Sequence, residues 1–435
     1  MTSTGTIPPA PPGTPVVGHA LAFARDPFGF VRGAVESTGD VFRMSLLGRD
    51  VYVVADPDLV GAALLDRESF AKLGDFEVAF GEALLAVEGE QWRRQRRDME
   101  EFFAPRRIRA EAGTMASVAD DRIDGWPTTG EVRLDGEMRS IALANLFEVV
   151  LGQSLSPERV DELAEVARAL NRWFEPSSWA LPDWLPTPAR REFRRGSERL
   201  RELAGTLLDG AADASARGSL LARLAELRED PSAEWSNSEI TDQVIGMLFA
   251  GHETTALSLT YALCAIGSRP AVAERFRAEV DDVIEGRPTP ADLDELTYTG
   301  RIVEETLRLY PPVHTVPRVT TEAVDLGPYA LPADAEVLLS VWNVHRDPRF
   351  YDDPLEFDPG RWADATPRGR GDEFLPFGGG PRTCIGRHFA RLETKAVLAA
   401  IGRRYEFDVG GDPEVTPQMT TQPAEPVAAR VRERR

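Results

Sequence analysis

Residues 374–390 read FLPFGGGPRTCIGRHFA and place one cysteine behind three glycines and ahead of a helix-like run. Cys384 is one of only 2 cysteines in 435 residues, so the chain is not a disulfide scaffold. A free cysteine is most often a buried packing residue. A zinc ligand needs partner ligands, and no second cysteine lies close in sequence. The remaining alternative is a single axial thiolate for a larger cofactor.

The neighbours of Cys384 favour the cofactor ligand. The glycines at 378–380, together with Gly386, allow backbone to approach a flat ligand closely. The amides of the helix that follows would stabilise a thiolate, and Arg382 offers a cation to an anionic group. The residues alone leave both alternatives open, a packing cysteine and an axial ligand.

A second polar group lies inside a long apolar run. Ser236 and Glu239 form a capping box, and the run continues to Gly267. A helix of about 30 residues rises roughly 45 Å, enough to cross a domain. It is also long enough to span a membrane, but His252 and Glu253 lie at its middle, where charge is costly in lipid. We therefore predict a buried central helix without a membrane span.

The charge is strongly negative, with 71 acidic against 50 basic residues and a net charge of −21. A GC-rich genome explains why only Lys72 and Lys395 are lysines, but it does not explain the excess of acid. We therefore hypothesise a halophilic source, whose acidic surface keeps the protein soluble in salt. The acidity argues against a nucleic-acid partner. The first residues, MTSTGTIPPAPPGTP, lack the features of a signal peptide, which indicates a cytoplasmic protein.

The elements around these groups follow from the pattern of apolar residues. Residues 1–18 are a proline-rich lead-in, and residues 40–56 predict two strands around a turn at 48–50. Helices dominate from residue 58 to about residue 309. A strand-rich patch spans about 315–341, helix returns after Gly386, and short strands end the chain. We expect a mainly α fold with a smaller β region, forming one large domain over 19–435.

The cysteine stretch resembles the haem-binding signature of the cytochrome P-450 family. In FGGGPRTCIG every fixed position of that signature is met, by Phe377, Gly378, Gly380, Arg382, Cys384 and Gly386. The resemblance implies a cytochrome P-450 fold with a long central helix over the haem. It also implies haem b, iron protoporphyrin IX, as the cofactor and Cys384 as the ligand of its iron.

Two further stretches match the family in the expected order. In EETLRL (304–309), Glu305 and Arg308 share a helical face. The resemblance implies that they are buried and joined by Arg361 of FDPGRW in a structural network, with Gly360 where many relatives carry a charge. In WRRQRR (92–97), the resemblance implies that Trp92 and Arg96 bind a haem propionate. Two more arginines are implied as propionate partners, Arg318 and Arg382, and the remaining Arg93, Arg94 and Arg97 are either solvated or dock an acidic electron donor.

The polar centre of the long helix, AGHETT (250–255), matches the oxygen-binding groove of the family. The small residues Ala250 and Gly251 leave room above a ring, and the Thr254 hydroxyl can reach the carbonyl four residues earlier. The resemblance assigns proton delivery to Glu253 and Thr254. The acid is Glu where many members have Asp, which preserves the proton chemistry.

The resemblance implies a haem-thiolate monooxygenase that inserts one atom of O2 into a hydrophobic substrate, such as a fatty acid, terpenoid or carotenoid. The chain ends about fifty residues after Cys384, so we expect electrons from NAD(P)H to arrive through separate partners. A ferredoxin with its reductase is the expected donor, or a flavodoxin-type protein, acting on a monomer. The alternatives are a peroxide-driven peroxygenase, which the intact acid–threonine pair disfavours, and a haem-thiolate sensor.

The substrate pocket is expected to combine parts of 73–85, 173–185, 247–255, 313–317 and 418–421, which carry little charge. Its candidate residues are Phe80, Leu84, Val313, His314 and Met419. Two other residues are expected to be structural, since His345 would cap a turn and Cys264 would pack in the core.

Overall fold

The structure is a computed structural model that describes residues 5–174, 187–211, 218–363 and 371–434, with only the backbone for Arg168 and Ala169. The chain divides into two compact units. The first unit comprises Met1–Asp75 and Leu307–Cys384, and the second comprises Phe76–Thr306 and Ile385–Arg435. Of the expected pocket segment 173–185, residues 175–185 lie outside the described residues.

The described elements are mainly helical, which confirms the predicted fold class. The helices are α1 Ala20–Arg25, α2 Pro27–Thr38, α3 Pro57–Leu65, α4 Asp75–Phe80, α5 Gly89–Glu100, α6 Pro105–Ala110, α7 Ala112–Ile123, α8 Leu134–Asn145, α9 Pro157–Arg168, α10 Pro188–Gly210, α11 Leu220–Glu229, α12 Asn237–Gly267, α13 Pro270–Val283, α14 Pro290–Glu295, α15 Thr297–Leu309, α16 Val341–Val344 and α17 Arg387–Arg404. The strands are β1 Val41–Leu46, β2 Arg49–Val54, β3 Phe70–Ala71, β4 Thr129–Arg133, β5 Val316–Thr320, β6 Val324–Leu326, β7 Tyr329–Leu331, β8 Glu336–Leu339, β9 Tyr405–Asp408, β10 Val415–Pro417, β11 Thr421–Pro423 and β12 Ala428–Glu433.

The first unit is built on a five-stranded sheet in the order β1-β2-β8-β5-β3. The predicted hairpin of residues 40–56 forms its edge, with Leu46 opposite Arg49 in antiparallel register. Leu47 and Gly48 close the turn at φ values of 55° and 88°, since a two-residue hairpin loop with two positive φ angles matches the twist of its strands. Strand β8 pairs in parallel with β2 and antiparallel with β5, so the predicted patch at 315–341 completes the sheet.

The second unit is a helical body with small sheets at the chain end. Strands β4, β12 and β9 form one sheet, and β10 and β11 form a hairpin. The long helix α12 starts as predicted, with a capping box. The Glu239 amide donates to the Ser236 hydroxyl, and the Ser236 amide donates to the Glu239 carboxylate. Nearly all of its residues are buried, so its polar centre must be satisfied by the helices and strands packed around it.

Among the described residues, no helix combines the length and apolar character needed to cross a bilayer.

Helix α17 packs against α13 so closely that one glycine position is fixed. A Cβ on Gly402 would lie 2.5 Å from the ring of Phe276, which is fully buried. We predict that Gly402→Ala lowers the free energy of unfolding by about 1–3 kcal/mol, because the ring has no room to yield.

The control for that substitution is Gly205→Ala in α10, where a Cβ would meet open space. This change should stabilise by about 0.5–1 kcal/mol, since alanine restricts the unfolded chain and favours helix. Urea unfolding followed by circular dichroism measures both. Equal effects of the two substitutions would contradict the assigned contact.

Candidate functional site

The cysteine loop of the first unit holds its thiol at the surface. Cys384 is exposed, and every residue from 376 to 388 keeps at least partial exposure. The loop is closed by its own backbone, because the Cys384 amide donates to the Phe377 carbonyl at 3.0 Å. The Thr383 hydroxyl also donates to the Gly380 carbonyl at 2.6 Å. Cys384 is thus no buried packing residue.

The glycines of this loop have backbone reasons that the sequence did not reveal. Gly378 and Gly380 have φ values of +68° and +64°, which favour glycine over any other residue. A Cβ on Gly380 would also lie 2.7 Å from the carbonyl oxygen of Leu64. Gly380 is therefore required by its contact with the end of α3, in addition to any ligand, whereas a Cβ on Gly378 would meet open space.

His345 supports the cysteine loop from beneath. The Leu375 amide donates to His345 Nε2 at 2.8 Å, so the other ring nitrogen, Nδ1, donates to the Arg308 carbonyl at 3.2 Å. Its ring packs against Phe374 at 5.2 Å between centroids. Burial, together with the nearby charges of Arg346 and Arg308, lowers the pKa of His345 to about 3. The imidazole is neutral and bridges the end of α15 to the loop.

His345 was expected to cap a turn, and this describes only part of its role. Its backbone does end the short helix α16, but its side chain acts on the cysteine loop, thirty residues further along the chain. That separation is set by tertiary packing, which no local pattern encodes.

The structural arginines hold the segment that follows His345. Arg308 is fully buried and donates to the carbonyls of His345, Pro354 and Glu356 at 3.0, 2.7 and 2.9 Å. Arg361 donates to the carbonyls of Asp352 and Asp353 at 2.7 and 3.3 Å. Both guanidinium groups thus order the same stretch of backbone. Glu305, one turn before Arg308, is fully buried as expected, and its joining the two arginines in one network stays a prediction.

The first unit also contains two of the arginines predicted to bind propionates. Arg318 is buried in β5 and donates from Nη1 to the Pro317 carbonyl at 2.9 Å. Arg382 is half-buried and donates to the Phe70 carbonyl at 3.1 Å. Of the pocket candidates in this unit, Val313 is exposed, and His314 packs edge-on to Phe28 at 5.2 Å between ring centroids.

In the second unit, the AGHETT stretch contains a partly exposed strip on the otherwise buried helix α12. From residue 242 to residue 266, only Ala250, Gly251 and Thr254 keep partial exposure. The Thr254 hydroxyl donates to the Ala250 carbonyl at 2.8 Å, as predicted. A Cβ on Gly251 would lie 2.8 Å from Leu146, so this glycine also allows a close helix contact. The strip offers small residues and one hydroxyl to a ligand.

Glu253 is almost completely buried and is held by three side chains. Gln422 Nε2 donates to its Oε1 at 2.6 Å, and Asn171 Nδ2 donates to the same oxygen at 3.4 Å. Arg139 Nε donates to Oε2 at 3.4 Å. Burial alone would raise the pKa of Glu253, but Arg139, His252 and the Gln422 hydrogen bond together hold that pKa below its ordinary value. The lowered pKa favours the ionised carboxylate.

These partners of Glu253 were missed from sequence. Arg139 comes from α8, Asn171 follows α9 and Gln422 lies in β11, so each is separated from Glu253 by 82 to 169 residues. His252 was given no role, yet its Nε2 lies 3.7 Å from Glu253 Oε2, and its Nδ1 donates to the Leu248 carbonyl.

A second buried acid, Glu393, lies on α17. It is fully buried beside Asn145 and Thr255, and no described group forms a well-aligned hydrogen bond with either of its oxygens. Burial raises the pKa of Glu393 well above the usual value, and its neighbours Asn145 and Thr255 offset only part of that effect. Glu393 is therefore a neutral carboxylic acid.

Helix α5 carries the remaining predicted haem contacts. Trp92 is buried and Arg96 is half-buried, one turn apart on the same helix. Arg94 is neither solvated nor free to dock a donor, because it pairs with Glu239 in the capping box of α12 at 2.5 Å and stacks on Trp235. Arg93 is exposed and pairs with Glu90.

The pocket candidates of the second unit meet the long helix. The Phe80 ring lies 5.1 Å from that of Phe249 in α12 and packs with Phe76 and Phe174 as an aromatic cluster. The Leu84 amide donates to the Gln243 side chain of α12 at 3.0 Å. Met419 is half-buried between β10 and β11. The Phe80 side chain thus packs on the long helix, and Leu84 is held to it by its backbone amide.

The titration of His345 makes a pH prediction. Its folded pKa of about 3 lies below the unfolded value near 6.5, so its contribution to stability is present above pH 6.5 and is lost as pH falls toward 3. We expect the stability advantage of the wild-type protein over His345→Gln to shrink by about 2 kcal/mol between pH 7.5 and pH 5.

The matched variant is His345→Leu, which removes the hydrogen bonds as well as the titration. The stability advantage of the wild type over His345→Leu should shrink by the same amount between the two pH values. His345→Leu should nevertheless be less stable than His345→Gln, whose amide restores both hydrogen bonds. Urea unfolding at the two pH values is the measurement, and a wild-type advantage that does not change with pH would rule out a neutral buried imidazole.

Known proteins resemble this chain over nearly its whole length. A family model described as Cytochrome P-450 matches residues 8–429. Cyclooctatin synthase of Streptomyces melanosporofaciens is 34% identical over 92% of this chain and 89% of the relative. Cyclooctat-9-en-7-ol 5-monooxygenase of the same organism is 32% identical over 93% of this chain and 90% of the relative.

The fold has a close counterpart among solved structures. The retinoic acid-bound cyanobacterial CYP120A1 matches with a TM-score of 0.85 at 23% sequence identity, covering 99% of this chain and 100% of that one. The chain therefore has the cytochrome P-450 fold and belongs to the cytochrome P-450 family of monooxygenases.

Proposed function

We propose that this cytochrome P-450 monooxygenase inserts one oxygen atom of O2 into a terpenoid, with Cys384 as the ligand of a haem iron. The observation that carries this proposal is the exposed thiol of Cys384, held at the end of a loop that is fixed by its own backbone and by His345.

The donor set fits a haem. Cys384 offers a thiolate, and the groups assigned to the propionates are the guanidinium groups of Arg96, Arg318 and Arg382 and the indole N–H of Trp92, all suitable donors to carboxylates. The small residues Ala250 and Gly251 remain accessible on an otherwise buried helix. Phe377, Gly378 and Gly386 complete the signature around the thiolate. When bound, the haem would supply the activation of O2, and a thiolate ligand from Cys384 would favour cleavage of the O–O bond.

The protein side of the mechanism is proton supply and orientation. We assign proton delivery to Glu253 and Thr254, as in the family resemblance. The Thr254 hydroxyl is held by the Ala250 carbonyl at 2.8 Å and can pass a proton by rotating. Glu253 is ionised in its network and accepts a proton at a carboxylate oxygen before giving it on. Glu305, Arg308 and Arg361 keep the structural role assigned to them.

A terpenoid substrate is favoured over a fatty acid. The relatives named for cyclooctatin and for cyclooctat-9-en-7-ol act on terpenoids. The pocket candidates Phe80, Leu84, Val313 and Met419 are apolar, and His314 is the one polar member. A largely hydrocarbon skeleton with at most a hydroxyl group matches this lining, because each buried apolar side chain favours apolar surface.

We propose that separate redox partners, a ferredoxin with its reductase or a flavodoxin-type donor, carry electrons from NAD(P)H. The intact Glu253–Thr254 pair favours this route over direct use of peroxide. The comparisons lend no support to a halophilic source, which stays a hypothesis.

The thiolate assignment predicts opposite outcomes for the two cysteines. Cys384→Ser should abolish the thiolate-type Soret band of the reduced carbon monoxide complex, together with substrate oxidation. Cys264→Ser should preserve both, because Cys264 is buried in α12 and burial raises its pKa to about 12, so its thiol stays protonated and packs in the core. A thiolate-type band that survives in Cys384→Ser would overturn the proposal.

The substrate assignment predicts that cyclooctat-9-en-7-ol shifts the haem iron of the loaded protein from low to high spin. Palmitic acid and β-carotene should give weaker shifts. Phe80→Ala should raise the dissociation constant of this substrate about 10-fold or more, because a buried phenyl group contributes roughly 1.5–3 kcal/mol to the free energy of binding. The conservative Phe80→Leu should recover most of the affinity.

Turnover with ferredoxin, reductase and NAD(P)H, compared with hydrogen peroxide, separates a monooxygenase from a peroxygenase.

A further inference from the structure

The second unit carries an open cleft of about 210 Å³ that no sequence motif predicted. Its mouth is formed by Arg133 and by residues 424–426, which are exposed. Its floor includes the side chains of Arg139, Asn171 and Gln422, each at least nine-tenths buried. The cleft thus leads from the surface to buried polar groups.

These three floor side chains are the ones that bind Glu253. Gln422 and Asn171 donate to Glu253 Oε1 at 2.6 and 3.4 Å, and Arg139 donates to Oε2 at 3.4 Å. A layer one side chain thick therefore separates the cleft from the acid that supplies protons.

The floor also contains an acceptor suited to water. Asn171 is 3% exposed, and its Oδ1 has no hydrogen-bond partner among the described residues. A buried carbonyl oxygen without a donor costs free energy, and polar cavities satisfy such atoms with ordered water. Water bound at Asn171 Oδ1 would stand next to the amide that holds Glu253.

We propose that the protons consumed in turnover reach Glu253 through this cleft, with Gln422 as the gate and Arg139 as a positioning residue. The inference rests on the proposed role of Glu253 in proton delivery. The cleft carries protons from bulk water, and no electron moves along it.

Gln422 can act as a gate because its amide is shared. Its Nε2 donates to Glu253 Oε1 and to Thr420 Oγ1, both at 2.6 Å, and its Oε1 accepts from Arg139 Nη2 at 2.9 Å. Rotation of this one side chain toward the cleft exposes Glu253 Oε1 to water. A proton that arrives from bulk solvent as hydronium then passes to Oε1 and leaves a neutral water molecule behind.

Arg139 keeps the local charge balanced as Glu253 changes state. Its Nη1 donates to Asp135 at 3.1 Å while its Nε donates to Glu253. When Glu253 is protonated, the guanidinium keeps its ion pair with Asp135 and stays in place. The charged and titratable groups facing Glu253 are Arg139 from α8 and His252 from its own helix.

The test uses the haem-loaded protein with its redox partners. Gln422→Leu replaces the gate with an apolar side chain of similar size. We expect a larger solvent deuterium isotope effect on product formation and about a 10-fold lower ratio of product formed to NAD(P)H consumed, with the difference released as peroxide. The substrate spin-shift titration and the carbon monoxide spectrum should stay at wild-type values, which excludes misfolding.

Two further variants complete the comparison. Gln422→Asn leaves a gap of one methylene for water, so its isotope effect should not exceed that of the wild type. Glu202→Gln, an exposed side chain of α10 outside the cleft, should change none of the readouts. An isotope effect and a coupling ratio in Gln422→Leu equal to wild type would overturn the route. If Glu253→Gln is equally silent, the assigned role of Glu253 fails as well, which is a separate result.

A readout without turnover is the position of ordered water. A crystal structure of the resting protein should show a water hydrogen-bonded to Asn171 Oδ1, and Gln422→Asn should add one in contact with Glu253 Oε1. A dry floor in both crystals would contradict the route.

Discussion

The long helix α12 is buried along nearly its whole length, so a carboxylate at its centre must find its partners in other elements. Glu253 finds them in α8, in the chain after α9 and in β11. An uncompensated buried charge would destabilise the unit by several kcal/mol. The position of Arg139 and the path of the β10–β11 hairpin therefore both depend on one acid.

The local signals in the sequence were sufficient for the first hairpin and for the long helix, whereas strands β3 and β4 lie inside the stretch predicted as helical. The capping box at Ser236 set the start of α12, and the back-bonded Thr254 followed from its spacing to Ala250. Residues recruited from distant chain segments, such as Arg139 and Gln422, could not be found this way. Their function lies in which elements pack together, and a single sequence carries no direct record of that.

The same limit applies to buried groups that change their ordinary chemistry. His345 and Glu393 are both neutral because they are desolvated, and desolvation follows from the packing of the whole unit. The glycines show a related effect, since Gly380 is needed by the carbonyl of Leu64 as well as by its own φ angle. A motif that suggests ligand binding can thus also be an architectural requirement.

Glu393 gives the long helix an electrostatic asymmetry. It lies against Thr255, whereas Glu253 is two residues earlier and therefore projects from nearly the opposite face, since successive residues are about 100° apart. One side of α12 thus carries a negative charge and the other an uncharged acid. The two acids on opposite faces of one helix turn therefore favour opposite protonation states.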